Sequence, residues 1–412
     1  MGIVDIIIGI VLFFLIILIH EFGHFAVAKL CKMKVREFAI GMGPRILKKR
    51  VGETLYCLKA LPIGGSVSLD EDVENDDPRS FRNRPVWMRM LVIAAGAFMN
   101  FVLGFIFCVI YILISKNIAT NTVSGFYAGS VSSAQLQRGD IIKEINGMSI
   151  YTTMDISFQL SNSVSRDQGA QYYSYDFVVE RDGETVQLHD VKFASRAYAQ
   201  MIADYTVLVG EETGYAGLIT EYYDPETDTF TEAFETLSAN DANAEFCAGV
   251  TEITEKYKEA YPKETNSLFL DFYVLPAEKT VGNVIGAAFT TFISDARLIW
   301  VSLINLLNGT YGLNELSGPI GVVQSVGTAA SFGWSSLMTL AALIAINVGI
   351  VNLLPIPAMD GARLVFLIIE AIRRKPIKAE HEGMVHFIGI IALMVLMLVV
   401  TFNDILRLFS GG

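Results

Sequence analysis

His20-Glu21-Phe22-Gly23-His24 places two histidines four residues apart with a glutamate beside the first. On a helix, positions four apart leave the same face. His20 and His24 therefore aim two imidazoles at one point, which suits a zinc ion, and Glu21 can take a proton from a metal-bound water. The setting is unusual. Ile3 to Leu30 is apolar except for Asp5, His20, Glu21, His24 and Lys29, which is long enough to cross a hydrocarbon core of ~30 Å. A charged side chain at mid-membrane costs about 3 kcal/mol or more on insertion scales, so such groups have a partner or a task. Three polar groups on one helix turn need a shared partner, and zinc supplies one. The alternative is a polar helix end reaching back to water. Counting from Ile3 at 1.5 Å per residue, His20 lies roughly 26 Å deep, inside the membrane but close to its cytoplasmic face.

Two histidines leave a catalytic zinc short of one protein ligand. The segment Asn352-Leu353-Leu354-Pro355-Ile356-Pro357-Ala358-Met359-Asp360-Gly361 offers a candidate. Pro355 and Pro357 interrupt a helix, and broken backbone at membrane depth is tolerated only against protein or a polar cavity. From local chemistry, Asp360 is either a ligand or the N-cap of the helix that follows. His381 and His386 flank the cytoplasmic mouth of the last helix and are poorer ligand candidates.

The elements that must position these residues follow from composition. The chain is 52% hydrophobic and 18% charged, with further apolar stretches at Pro85–Ile114, Trp334–Ile372 and Met384–Phe402. This predicts an α-helical polytopic membrane protein. The first segment lacks a basic leader and its apolar run is too long for a signal peptide, so it is read as a mature helix. Net charge is −12 and uneven: residues 29–89 hold 13 Lys/Arg against 8 Asp/Glu, and residues 116–280 hold 11 against 26. With the basic Arg373-Arg374-Lys375 loop, the positive-inside rule puts 29–89 and 373–378 in the cytoplasm and the acidic region outside. Val281–Leu307 is apolar but carries Asp295 and Arg297. A crossing there would turn the 373–378 loop outward, so it is read as an amphipathic surface helix. Four spans result, with both termini outside. The acidity argues against nucleic-acid binding, and the four cysteines form neither a disulfide framework nor a CxxC site.

The external region opens with turns at Gly129-Ser130-Val131, Asn146-Gly147 and Asp182-Gly183, strands at Ile141–Ile145, Tyr173–Arg181 and Val186–Phe193, and a helix at Met154–Ser161. With its RGDII-x-x-INGMSI run, this part resembles a PDZ domain of the bacterial protease-associated kind. Residues 196–280 are less legible, with a helical acidic stretch at Thr231–Tyr261. Asp224, Glu226 and Asp228 lack the glycine and terminal glutamate of a calcium loop and read as a solvated acidic turn. The predicted organisation is a membrane part at 1–118, a PDZ-like domain at 119–195, an acidic region at 196–280, a surface helix and turn at 281–333, and a second membrane part at 334–412.

HEFGH in the first span, the later NLLPIPAMDG and the PDZ-like domain between them resemble the site-2 protease family of intramembrane zinc metalloproteases, bacterial RseP type. Gly96-Ala97-Phe98-Met99-Asn100 resembles that family's GxxxN element. Ile40-Gly41-Met42-Gly43-Pro44 and Leu61-Pro62-Ile63-Gly64-Gly65 resemble its membrane-embedded β-hairpin, and Leu316-Ser317-Gly318-Pro319-Ile320-Gly321 its SGPIG turn. The resemblance implies His20, His24 and Asp360 as Zn2+ ligands and Glu21 as general base. It implies a bacterial plasma-membrane protein acting on single-span membrane substrates already cut on their outer side, of anti-sigma factor or remnant signal peptide type. The PDZ domain would take a peptide C-terminus. Ala362 stands where the family often has a second glycine, and Ala97 where proline is common. Neither change removes a chemical group. An extended substrate needs backbone partners in lipid, and the Val35–Leu69 hairpin with Gly64 and Gly65 can lend an edge strand. Asn100 and Asn352 either bind substrate backbone or bond between helices. Outside the protease class, the sequence also allows a non-proteolytic PDZ scaffold with a structural zinc, or a zinc transporter. The latter wants polar residues along a whole pathway.

Overall fold

The computed structural model describes residues 3–70, 77–127, 130–164, 172–195, 199–201, 204–205, 208, 222–224, 229–264, 268, 270–310, 318–377 and 379–410. Gly129, Glu226 and Asp228, together with Leu316, Ser317 and Lys378, lie outside them. Contacts divide the chain into two units, Met1–Lys116 with Thr280–Gly412, and Asn117–Lys279.

The first unit opens with helix α1, Ile3–Leu30, then strands β1, Val35–Val51, and β2, Thr54–Leu69, and helix α2, Val86–Ile114. The hairpin is more than a simple ribbon. Residues 37–40 pair on one side with 65–68 and on the other with 55–58, and 47–51 pair with 54–58. Both strands thus bend, and 65–69 is left as an outer strand. Gly41 and Gly43 have φ of 84° and 88°, backbone that glycine adopts without strain, and they lie in the bend. At the hairpin base, buried Asp70 pairs with Lys34 at 2.8 Å and Arg36 at 2.7 Å. The Asp70 carbonyl accepts the Ser80 hydroxyl at 2.6 Å. These bonds close the hairpin against the segment that starts α2.

The second unit contains β3, Ile118–Phe126; β4, Ile141–Ile145; β5, Met148–Ser149; α3, Thr153–Val164; β6, Tyr172–Arg181; β7, Glu184–Ala194; β8, Tyr223–Asp224; β9, Thr229–Phe230; α4, Glu232–Ser238; α5, Ala244–Glu264; and β10, Phe272–Ala277. The main sheet runs β10-β3-β4-β6-β7, with β5 beside β4. The predicted strands and helix are present. Asn146-Gly147 and Asp182-Gly183 all have positive φ, the conformation that two-residue hairpin turns require. Alternate residues Tyr173, Tyr175, Phe177 and Val179 of β6 join Ile142, Ile145, Val191 and Phe193 in one core. Buried Asp140 receives both Nε and Nη2 of Arg181, at 2.7 and 2.8 Å. The helix expected over Thr231–Tyr261 is broken after Ser238. The Asn240 side chain accepts the Ala242 N–H at 3.1 Å and starts a new turn, a local bond that competes with helix continuation.

The first unit resumes with α6, Val281–Leu307; α7, Pro319–Ser331; α8, Trp334–Leu353; α9, Asp360–Arg373; and α10, Ala379–Ser410. Among the described residues five helices are long and apolar enough to cross a membrane, α6 as well as α1, α2, α8 and α10. Length and composition therefore do not set α6 apart from the four helices expected to span. α6 lays Phe292 between Phe101 and Phe105 of α2, at centroid distances of 6.2 and 6.1 Å. α8 packs antiparallel against the C-terminal half of α2. Ser115 meets Ser335 at 3.1 Å, Gly104 faces Ile346, and Phe101 lies over Gly349. This pairing carries the C-terminal end of α8 toward the N-terminal half of α2, the level at which α1 presents its histidines.

A side chain at Gly349 would start 2.7 Å from the Phe101 ring. Overpacking costs roughly 1–3 kcal/mol. Gly349→Val should lower the thermal unfolding midpoint of the detergent-solubilised protein by several degrees, and Gly282→Val, where the space is open, should not.

Candidate metal centre

α1 and α2 run antiparallel and touch through small residues. A Cβ at Gly23 would fall 2.4 Å from the Ala95 carbonyl oxygen, so the helices approach as closely as their backbones allow. Along α2, Val92, Gly96 and Asn100 are spaced four apart and face α1. Each meets the motif differently. The Val92 carbonyl accepts from His24 Nδ1 at 2.8 Å. Gly96 leaves the space occupied by the imidazoles: a Cβ there would lie 2.4 Å from His24 Nε2 and 2.7 Å from His20 Cε1. The fully buried Asn100 amide lies 3.2 Å from His20 Nδ1.

Asp360 reaches the histidines from a helix break. α8 ends at Leu353, and its C-cap Leu354 has extended backbone that leads into Pro355 and Pro357. The turn contains Ala358 at φ 79°. α9 then folds back so tightly that a Cβ at Gly361 would lie 2.1 Å from the Leu354 carbonyl oxygen. Met359 is the N-cap of α9 and Asp360 its first helical residue, and the helix start has no side-chain cap bond. The Asp360 carboxylate points elsewhere. Its Oδ2 stands 3.1 Å from His20 Nε2 and 3.1 Å from His24 Nε2, and the two nitrogens are 3.1 Å apart.

These three atoms form a near-equilateral triangle. A tetrahedral zinc with bonds of about 2.0–2.1 Å spaces its ligands by roughly 3.3 Å. Asp360 Oδ2 is buried with no hydrogen bond of proper geometry, as expected of a lone pair kept for a cation. His20, His24 and Asp360 are the group of at least three possible metal ligands found among the described residues. The outer nitrogens complete the fit. His24 donates Nδ1–H to Val92, which leaves Nε2 unprotonated for a metal. His20 needs the same tautomer, so its Nδ1 must donate. Asn100 Oδ1 is buried without a partner as the amide is oriented, and turning the amide by 180° brings it onto His20 Nδ1.

The chain matches peptidase family M50 over residues 8–396. It belongs to that family, the site-2 proteases. It is 28% identical to the regulator of sigma-W protease RasP of Bacillus subtilis, over 97% of this chain and 98% of that protein. It is 29% identical to zinc metalloproteases RasP of Bacillus licheniformis, over 97% and 98%, and of Geobacillus kaustophilus, over 97% of each. The chain is an intramembrane zinc metalloprotease.

The other expected residues are placed as follows. Glu21 is half-buried beside the outer strand, where a Cβ at Gly65 would lie 2.9 Å from its Cγ. Gly64 has φ 80° and sits against Met42. Asn352 is half-buried near the end of α8. Asn100, expected as a substrate contact or an interhelical bond, makes the interhelical bond: it lies fully buried behind His20, because its register on α2 is set by Gly96 one turn earlier. His386, set aside as a ligand, is used instead as a support. Its Nδ1 accepts the Ala358 N–H at 3.0 Å and so holds the turn before Asp360. Gly389, one turn on, lets α10 touch Pro357. Sequence reasoning missed the support given by His386 and Gly389 because their partners, Ala358 and Pro357, lie about thirty residues away outside their helix. Gly96 was noted only as part of a motif, without its reason.

Gly96→Val should leave the protein inserted but with little zinc by metal analysis, since the imidazoles lose their space. Asn100→Leu removes the acceptor for His20 and should weaken zinc retention about 10–100-fold, read by competition with a chelator. Normal zinc affinity in Gly96→Val would show that the histidines adopt another arrangement.

Proposed function

We propose that His20, His24 and Asp360 hold the zinc and that Glu21 is the general base of an endopeptidase that cuts transmembrane segments. The observation that carries this is the triangle of 3.1 Å contacts among His20 Nε2, His24 Nε2 and Asp360 Oδ2, with Glu21 on the same helix turn. Bound zinc supplies Lewis acidity toward a scissile carbonyl and lowers the pKa of water. Glu21 takes the proton of that water and delivers it to the leaving amine.

The substrate enters as an extended strand. A transmembrane helix hides its peptide bonds, and an unwound one needs hydrogen-bond partners that lipid lacks. The outer strand 65–69 supports β-augmentation, since its inner side is paired with 35–40 and Gly65 lies against Glu21. Gly64 and Gly65 give the approaching backbone room. Asn352 makes no hydrogen bond with a described residue and is assigned to the substrate backbone. The Bacillus subtilis relative's name ties that protein to regulation of sigma-W. By likeness, the substrates are single-span proteins of anti-sigma factor or remnant signal peptide type, already shortened outside.

The topology is four spans, α1, α2, α8 and α10, in a bacterial plasma membrane. The termini and the sheet unit, read as a PDZ-like domain that takes a peptide C-terminus, are extracytoplasmic. Asp404, near the end of α10, accepts the Gly318 and Gly321 N–H groups at 3.2 and 2.9 Å. Val323 lies 3.7 Å from a Cβ placed at Gly9 of α1. The start of α7 is thus level with the outer ends of α1 and α10. Had α6 crossed fully, the short link from Leu307 to Gly318 would have to return across ~30 Å as bare extended chain. Residues 308–310 are instead a turn, in which Thr310 N–H donates to Asn305. This supports an α6 that does not cross fully, although its middle reaches into the bundle as far as Phe101 and Phe105 of α2.

A membrane-anchored reporter peptide co-expressed with the protein should be cut, and Glu21→Gln should slow cutting by about 10²–10⁴-fold, in line with loss of a general base, while zinc stays bound. Asp360→Ala should lose the zinc. Equal cleavage by wild type and Glu21→Gln would favour the scaffold with a structural zinc.

A further inference from the structure

The helix that carries Asp360 has a second face that the site does not use. α9 is 14 residues long, about 21 Å, too short to span. Gly361, Ala362 and Leu367 are buried against the bundle. Val365, Ile368, Ile369 and Ile372 are spaced three and four apart and are exposed, Ile372 to 77%. An apolar stripe of this kind needs a covering. The helix ends at Arg374, whose φ of 55° and N–H bond to Glu370 at 2.8 Å terminate it. Arg373, Arg374 and Lys375 are all exposed, and none forms an ion pair with a described residue.

The level of this cluster is fixed by α2. Glu370 pairs with Arg89, with Nη1 to Oε2 at 3.2 Å. Arg89 lies two residues after Trp87, an exposed tryptophan at the start of a spanning helix. Tryptophan at such a position marks the headgroup layer. The last turn of α9 therefore lies where the bilayer meets the cytoplasm, with its isoleucines toward the acyl chains and its three cations toward the headgroups.

We propose that Arg373, Arg374 and Lys375 bind anionic phospholipid headgroups of the inner leaflet, with the isoleucine stripe in the acyl region, and that this contact steadies the helix whose first residue is Asp360. The second half of the proposal rests on Asp360 being a zinc ligand. The coupling follows from the construction of α9. Asp360 is the first residue of α9 and follows a proline-broken turn with Ala358 at positive φ, so the carboxylate is placed by the position of α9 together with the supported turn before it. Lipid that holds the far end of a 14-residue rod limits its tilt.

The test uses the full-length, zinc-loaded protein and a variant with Arg373→Gln, Arg374→Gln and Lys375→Gln, none of which touches the metal site. Native mass spectrometry with added phosphatidylglycerol or phosphatidylcholine reads lipid retention. Release of zinc to a chromogenic chelator, from vesicles of phosphatidylcholine alone or with a third phosphatidylglycerol, reads the coupling. The wild type should prefer phosphatidylglycerol by up to about fivefold per basic residue and should lose zinc several-fold more slowly in the anionic vesicles. The variant should lose both differences while starting with full zinc. An equal lipid preference in both proteins, or none in the wild type, overturns the binding site. Lipid preference lost in the variant with zinc release unchanged overturns the coupling. A wild type that carries no zinc overturns the ligand assignment instead, and the mass spectrometry still decides the lipid site.

Discussion

A cluster of polar side chains at membrane depth is governed by one constraint: the polar atoms that would otherwise face lipid must be satisfied by protein, because lipid offers no hydrogen-bond partners. α2 is organised around that requirement. One of its faces presents the Val92 carbonyl to His24 and the Asn100 amide to His20, with Gly96 between them as the space in which the rings sit. An adjacent face carries Phe101 and Gly104 against α8. The helix that orients the two histidines thus also aligns the helix that leads to Asp360.

Asp360 arrives by a broken helix, and a break at this depth must be compensated. Pro355 and Pro357 remove two donors from the backbone, and Gly361 lets α9 turn back onto the freed carbonyls of Leu353 and Leu354. The Ala358 N–H is taken up by His386 from α10. These supports come from three separate elements, so the position of Asp360 is a property of the whole helical unit. The same reasoning extends to the C-terminal end of α9, where Arg89 and Glu370 fix the helix to α2.

In the proposed mechanism the bent hairpin would answer the matching problem for the substrate. Residues 37–40 are paired on both sides, which leaves the 65–69 strand with its inner side satisfied and its outer side available. Gly65 brings that strand against Glu21. In the proposed mechanism the backbone partner and the general base are therefore next to each other, so that unwinding a substrate helix and attacking it would occur at one place.

Much of this was legible in the chain. The His20-Glu21-Phe22-Gly23-His24 spacing determined a shared face, the apolar run around it determined a membrane setting, and the Asn-Gly and Asp-Gly turns marked the sheet unit, because each of these is written in neighbouring residues. Asp360 was less determined: local chemistry left ligand and cap open, and only the antiparallel packing of α8 on α2 brought its carboxylate to the imidazoles. The tertiary structure alone assigned Asn100 to His20, His386 to the turn before Asp360, and Gly96 to the space for the rings. It also broke the acidic helix at Asn240, where a side-chain bond outcompeted periodicity. The physical reason is common to all of them. Periodicity reports which face a residue is on, whereas a ligand's supports are chosen by contacts between helices, and these depend on how closely small residues allow the backbones to approach.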